Sequence, residues 1–282
     1  MPQPKIWWLP YFANNAFAAR PQGPHPSLAS WESMAQEHPS PQQWPHRGYA
    51  ELLQADMPPR NLASLVIDCM RAYGATTLGV VANVEPPHAQ ERDILGLISY
   101  GYAQMLLRLD RIEEFLLFLY SHRYHDHTRG NWTAGEVAGI DGDNALFCIP
   151  AQLTVPLLVR WMLVLEDSEE DRLYFGKGLP RDWVRSGREI SIESAPTRFG
   201  RVSLKMAADL AAKSVHAKVE LARAGSPKQI QVKVRLPKAS LFEEATINWR
   251  AAVFGGEHGD TITTATGNEK NFEIHVRFGE HS

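Results

Sequence analysis

Cysteine is scarce: Cys69 and Cys148 are the only two among 282 residues. Two thiols cannot build the disulfide framework of a small secreted domain, nor supply a cysteine-based structural zinc site. Both lie in apolar stretches, Leu65–Met70 and Ala145–Ile149, so free, buried thiols are expected. Lysine is also missing over a long span, with none between Lys5 and Lys177. Residues 1–171 carry 11 Lys+Arg against 20 Asp+Glu, a balance of −9; residues 172–282 carry 18 against 12, a balance of +6. A nucleic-acid binder needs a basic stripe to neutralise phosphates. The acidic first part lacks one, and the mildly basic second part has no aromatic-plus-basic motif. An acidic surface suits neutral or cationic ligands better than polyanions. Long apolar runs are absent too. Val155 to Leu165 is broken by Arg160 and falls short of the roughly 17–25 residues of a membrane-crossing helix, so no membrane partner is expected. The opening Met-Pro-Gln-Pro-Lys has no apolar core, and no secretory signal is expected. There is no Gly-x-Ser-x-Gly elbow and no His-Glu-x-x-His, and Gly176-Lys-Gly178 lacks the spacing of a phosphate loop. No cofactor and no metal ion is expected.

The composition that remains, 44% hydrophobic and 22% charged, is that of an ordinary globular protein. Residues 1–60 are punctuated by proline and read as loop-rich, with short helices near Pro26–Glu37 and Tyr49–Ala55. Residues 61–165 read as a helical domain. Asn61 caps a helix whose Leu62, Leu65, Val66, Cys69 and Tyr73 follow helical spacing and which Gly74 ends. Residues 76–84 read as a short strand or buried loop. Helices are then expected from Ala89 to Leu109, from Arg111 to Ser121 and from Gln152 to Leu165; the last is apolar nearly all round and should be buried. The acidic run Glu166–Asp171 reads as a solvated linker. Beyond it the period becomes two. Val215, Ala217, Val219 and Leu221 alternate with polar residues, as do Ile230 to Leu236 and Phe272 to Phe278. With shorter runs at Arg172–Phe175, Glu189–Ile192, Arg201–Met206, Thr246–Trp249 and Thr261–Thr264, about eight strands are predicted for residues 172–282, as an antiparallel β-sandwich. The fold class is therefore a two-domain α+β protein.

Three stretches carry a family resemblance: Arg129-Gly-Asn-Trp-Thr-Ala-Gly-Glu136, Pro150-Ala-Gln-Leu-Thr-Val-Pro-Leu-Leu-Val-Arg-Trp-Met162, and Leu173-Tyr-Phe-Gly-Lys-Gly-Leu-Pro-Arg-Asp-Trp183 followed by Ala195-Pro-Thr-Arg-Phe-Gly200. In these the chain resembles the C-terminal portion of bacterial rhamnosidase-like glycoside hydrolases, which join an (α/α)6 toroid to a β-sandwich. The resemblance implies a partial toroid, carbohydrate as partner, and hydrolysis of a glycosidic bond in plant or bacterial glycans. A whole toroid takes twelve helices, on the order of 300 residues. The roughly five helices expected here imply either a missing N-terminal half or completion by self-association.

Glycoside hydrolysis needs two carboxyl groups, one protonated to donate to the leaving oxygen and one to activate water or attack. The His122–Asp143 loop is rich in them. Glu136, Asp141 and Asp143 are the catalytic candidates, with Arg129, Trp132 and His125 as substrate-binding residues. Two local readings compete: Thr133-Ala-Gly-Glu136 is also a helix capping box, and Asp141-Gly-Asp143 also a turn. Glu85 and His88, before the helix expected at Ala89, are further substrate-binding candidates that could face a cleft. His122, His125 and His127 resemble a metal cluster in composition, but their spacing favours a cationic helix end. Two alternatives stand beside hydrolysis. One is a polysaccharide lyase using Tyr124, His125 and Arg129; the other is a non-catalytic carbohydrate-binding fragment.

Overall fold

A computed structural model describes residues 51–72, 76–82, 94–128, 130–138, 147–167, 170–185, 187–237, 240–256 and 258–280. The helix expected at Pro26–Glu37 lies outside them. The chain forms two compact units that divide between Leu158 and Val159. Among the described residues no helix is long and apolar enough to cross a membrane.

The described residues of the first unit open with a helical turn at 51–54 and helix α1, Arg60–Ala72. A tight hairpin follows, β1 (Thr76–Thr77) paired with β2 (Val80–Val81), its turn formed by Leu78 and Gly79 at positive φ. Strand β3, Ile94–Leu95, precedes α2 (Tyr100–Arg108) and α3 (Ile112–His125). The described part of the single helix expected from Ala89 is thus a strand and a later helix. Gly96 interrupts the helical pattern, and Ile94 and Leu95 pair instead with Ala138 and Val137 of β4, Val137–Ala138. Helices α2 and α3 are joined by a sharp reversal. Asp110 takes the left-handed conformation at φ 61°, and Arg111 N donates to Leu106 O at 2.9 Å while Asp110 N donates to Leu107 O at 3.2 Å. These bonds satisfy the last carbonyls of α2 as glycine-ended helices do, with aspartate in the glycine position. Val66, Ile67, Met70, Tyr102, Met105, Phe115 and Phe118 form the core of this unit. Arg111 braces it from outside, forking onto Glu114 through two 2.7 Å bonds and reaching Asp68 at 2.8 Å.

Helix α4, Ile149–Leu163, contains the division between units. Its enclosure, expected from its apolar sequence, is incomplete: Leu158 and Met162 are buried, but Ile149, Leu153 and Pro156 form an exposed line. On α3, Leu117, Tyr120 and Tyr124 form a second such line.

In the second unit the acidic run is not a solvated linker. Glu166 belongs to β5 (Val164–Glu166), which pairs antiparallel with β6 (Arg172–Phe175). Asp167, buried, accepts a hydrogen bond from the Tyr174 hydroxyl at 2.9 Å and one from Glu170 N at 3.2 Å. The described ends of the run thus belong to a hairpin, and its buried Asp167 has the half-buried Tyr174 hydroxyl as a partner. A short helix, α5 (Arg181–Arg185), leads to β7 (Ile190–Thr197), β8 (Gly200–Asp209), β9 (Ser214–Leu221), β10 (Gln229–Lys233), β11 (Ser240–Ile247), β12 (Arg250–Ala251), β13 (Phe254–Gly255), β14 (Thr261–Ala265) and β15 (Asn271–Glu280). One sheet runs β12-β11-β15-β9-β8-β7 and the other β13-β14-β10-β6-β5. Val202, Leu204, Met206, Val215, Ala217, Val219, Ile274 and Val276 are buried on the first sheet; Leu173, Phe175, Ile230, Val232 and Ile262 on the second. This is the alternation read from the sequence, made into two faces of a sandwich. Two expectations are corrected. The sandwich is not wholly antiparallel, because β10 and β6 pair in parallel. The strand expected at Thr246–Trp249 ends at Ile247, and Asn248–Trp249 form a hairpin turn with φ of 48° and 67°.

Candidate functional site

The C-terminal end of α3 and the loop after it build one layered structure. Phe115, Phe118, Leu119 and His122 succeed one another on the buried face of α3. That periodicity carries His122 into the core, and Asp126, four residues on, falls on the same side. The chain then turns through His127, whose backbone bridges Ala134, while Thr128 and Thr133 join through their hydroxyls at 2.5 Å. The capping box expected at Thr133–Glu136 is therefore absent. The Thr133 hydroxyl is engaged by Thr128, and the next element is the strand β4.

A column of rings runs inward from this loop. Trp132, 50% exposed, meets the edge of His127 at 6.1 Å; His127 meets His122 at 5.6 Å; His122 stacks on Phe118 at 5.5 Å. The Arg123 guanidinium covers the Trp132 ring at 4.9 Å. Trp132 has φ 57°, an unfavourable backbone conformation for a bulky residue. It is held there by its own N–H, which donates to Thr128 O at 3.3 Å, and by its carbonyl, which accepts from Gln152 Nε2 at 3.2 Å.

Beneath the tryptophan lie His122, Asp126 and His127, with side chains 0%, 0% and 3% exposed. Their donor atoms lie within 4.8 Å of one another. His122 Nε2 is 3.4 Å from Asp126 Oδ2, and His127 Nδ1 is 3.9 Å from the same oxygen. Neither contact is a hydrogen bond: both ring nitrogens of each histidine and both Asp126 oxygens lack such a partner among the described residues. Burial pushes the Asp126 carboxyl up to about 7 and His122 down to about 3, with His127 adding to the second shift. Burial also lowers His127, against the pull of the nearby His122 and Gln152 backbone. The cationic helix end expected from these histidines is thereby corrected. The helical period points His122 inward and the turn folds His127 over it, so burial disfavours the charged form of both rings.

Of the other expected site residues, Glu136 is exposed, and its carbonyl accepts from Gly96 N at 3.0 Å. His125 is half-buried with its ring edge against Tyr124 at 4.9 Å. Arg129, Asp141, Asp143, Glu85 and His88 lie outside the described residues. Cys148 is a free, half-buried thiol. Asp126 was the missed member. Its signal was the i, i+4 spacing to His122 on a face already marked by Phe115, Phe118 and Leu119.

The second unit carries a separate, outward-facing group. Trp249, 81% exposed at its hairpin tip, stacks on His275 at 5.0 Å; His275 stacks on His216 at 4.4 Å, and His216 Nε2 is 2.7 Å from Glu273. The Asn248 side chain fixes the turn, donating to Asn271 O at 3.1 Å and accepting from Glu273 N at 2.8 Å.

No family model matches the chain, and no curated protein matches it. Among solved structures, one titled "Glycoside hydrolase" is similar with a TM-score of 0.40 and 8% identity, over 83% of this chain and 45% of that one. The chain thus spans less than half the length of that structure.

Proposed function

We propose that the chain is a glycan-directed protein of glycoside hydrolase type. In this reading Trp132 is the sugar platform and Glu136 a catalytic carboxylate of the helical unit. The observation that carries it is the exposed Trp132 indole, held at a costly backbone angle and four residues before an exposed carboxylate. An indole face recognises the apolar face of a pyranose, and Arg123 and Gln152 anchor the loop that presents it. Asp141 or Asp143 supplies the second carboxyl, so that one group donates to the leaving oxygen and the other activates water or attacks. Arg129, His125, Glu85 and His88 complete the polar contacts. The exposed lines on α3 and α4 support a partial toroid, since such faces are buried when further helical hairpins, from a missing half or a second copy, lie beside them.

Hydrolysis of a panel of plant and bacterial glycosides tests the reading. Glu136→Gln should lower kcat at least 100-fold while leaving sugar affinity within about twofold, the cost of losing a general acid. Trp132→Ala should instead weaken binding. Unchanged turnover in Glu136→Gln sinks the catalytic assignment.

A non-catalytic reading is favoured by a different observation, the Trp249–His275–His216 stack with Asn248 and Glu273 at its edge. Its outward aromatic face with polar neighbours is the chemistry of a sugar-binding surface on a sandwich. Trp249→Ala should then weaken glycan affinity about 30-fold by calorimetry, the effect of removing a tryptophan worth about 2 kcal/mol, with hydrolysis unaltered. An affinity unchanged in Trp249→Ala rejects this surface as the binding site.

A further inference from the structure

We propose that His122, Asp126 and His127 form a binding site for one divalent transition-metal ion, of the zinc class, that fixes the loop carrying Trp132. Six nitrogen and oxygen atoms of these three side chains are buried and make no well-formed hydrogen bond among the described residues, only the His122 and Gln152 backbone approaching the His127 ring. Buried polar groups left in that state are costly, and six converging on one point stand apart from the scattered single atoms of this kind elsewhere among the described residues. Something must satisfy them, and the donor set selects what. Two neutral imidazoles and a carboxylate match zinc and its first-row neighbours, whereas calcium and magnesium take all-oxygen shells.

The geometry agrees. Ligands about 2.1 Å from a tetrahedral ion stand about 3.4 Å apart, and His122 Nε2 and Asp126 Oδ2 are separated by 3.4 Å. The third donor, His127 Nδ1, lies 3.9 Å from that oxygen and within 4.8 Å of the His122 donor, so the three close further around a bound ion. Gly96 keeps space beside Asp126: a Cβ there would stand 2.6 Å from each Asp126 oxygen. Packing outside the three donors is of the kind that orients metal ligands. Phe118 holds the His122 ring by stacking, and Trp132 holds His127 edge-on. The three protein donors leave at least one coordination position for a small ligand such as water. The depth of the cluster marks the ion as structural. It ties the end of α3 to the turn at His127, whose backbone bridges Ala134 across the loop that displays Trp132.

The site needs neutral histidines, so its affinity should weaken in acid as protons compete for the rings.

The full chain, purified without added metal, is measured by elemental analysis, then stripped with a chelator and titrated with zinc or cobalt alone. About one equivalent per chain is expected. Either ion at 100 times its Kd should raise the melting temperature by about 5–10 °C, and cobalt should show visible absorption bands of a low-symmetry site. Asp126→Asn and His127→Asn should lose the equivalent. His125→Ala and His216→Ala should keep it, the second excluding the exposed His216–Glu273–His275 group as the binding site. A stripped wild-type chain that neither takes up an equivalent nor gains thermal stability overturns the proposal, whether or not the variants fold. So does an equivalent that persists in Asp126→Asn and disappears in His216→Ala.

Discussion

Asp260→Ala is expected to destabilise the sandwich unit by about 3–5 kcal/mol, a loss measurable as a shift of its denaturant midpoint without a change of slope. Asp260 and Lys233 face each other at 3.3 Å with side chains 7% and 5% exposed. They lie where β10 meets the start of β14, and the Asp260 backbone is itself fixed, its carbonyl accepting from Val234 N at 2.9 Å. Removing the carboxylate takes from the buried ammonium its partner at 3.3 Å, a loss that exceeds whatever the pair contributes over an apolar equivalent. Two comparisons separate the terms. Asp260→Asn keeps an acceptor for the Thr261 hydroxyl, now 3.1 Å from Oδ1, and should cost less than alanine. The double change Lys233→Met with Asp260→Leu removes both charges and should recover most of the loss, since paired removal with conserved volume is often close to neutral. If Asp260→Ala costs under about 1 kcal/mol, the magnitude of an exposed pair, the two charges are solvated and the argument fails. The cleft of about 210 Å³ that Asp260 lines with Arg181 and His258 sets the lower end of the range, because it brings water close to one side of the pair.

The sandwich was the more legible unit because its signal is local. Each of Val215, Ala217, Val219 and Leu221 points inward in a strand of period two, and no distant residue needs to be known to say so. What could not be read was pairing. Nothing local to Arg172–Phe175 or to Gln229–Lys233 says that these strands run parallel. The turn at Asn248–Trp249 was misread because tryptophan favours strands, and only the two-residue connection between Ile247 and Arg250 forces it into a left-handed turn. Glu166–Asp171 looked like linker because composition reports charge and not partners; Tyr174 and Glu170, which meet Asp167, are visible only once the hairpin closes. In the helical unit, α1 and α3 were read within a few residues, but Ile94–Leu95 was absorbed into a helix because two apolar residues fit either period. The buried cluster shows the same boundary. Composition marked the histidines, periodicity would have sent His122 inward with Asp126 beside it, and the fold of the following turn, which brings in His127, was beyond either signal.

Gly96→Ala is the change expected to strike that cluster hardest, and it sets steric clash against backbone conformation. Gly96 has no positive φ to justify glycine, so a purely conformational argument favours alanine there. The space argues the reverse: the added carbon would lie 2.6 Å from both Asp126 oxygens and 2.9 Å from its Cγ. The backbone is fixed on both sides, so only a turn of the buried carboxylate could relieve the clash. Asp126 is pinned at the end of α3, its N–H donating to His122 O at 3.0 Å. Gly96 is pinned by its own N–H to Glu136 O at 3.0 Å and by its carbonyl, which accepts from Ser99 Oγ at 3.1 Å and Thr154 Oγ1 at 3.5 Å. Overpacking of this kind costs about 1–3 kcal/mol, and more where both partners are fixed, so a loss of about 3 kcal/mol is expected by thermal or denaturant unfolding. Gly130→Ala serves as the opposite case. It has φ 96° and nothing within 4 Å of the added carbon, so its cost is conformational alone, about 1 kcal/mol. The decisive measurement is the pair Gly96→Ala with Asp126→Ala. Because the second change removes the atoms the first collides with, the double variant should be more stable than the sum of the singles by 1 kcal/mol or more, on the order of coupling between touching residues. Strict additivity would mean that Asp126 does not stand where the added carbon falls, and the crowded geometry of the cluster would have to be abandoned.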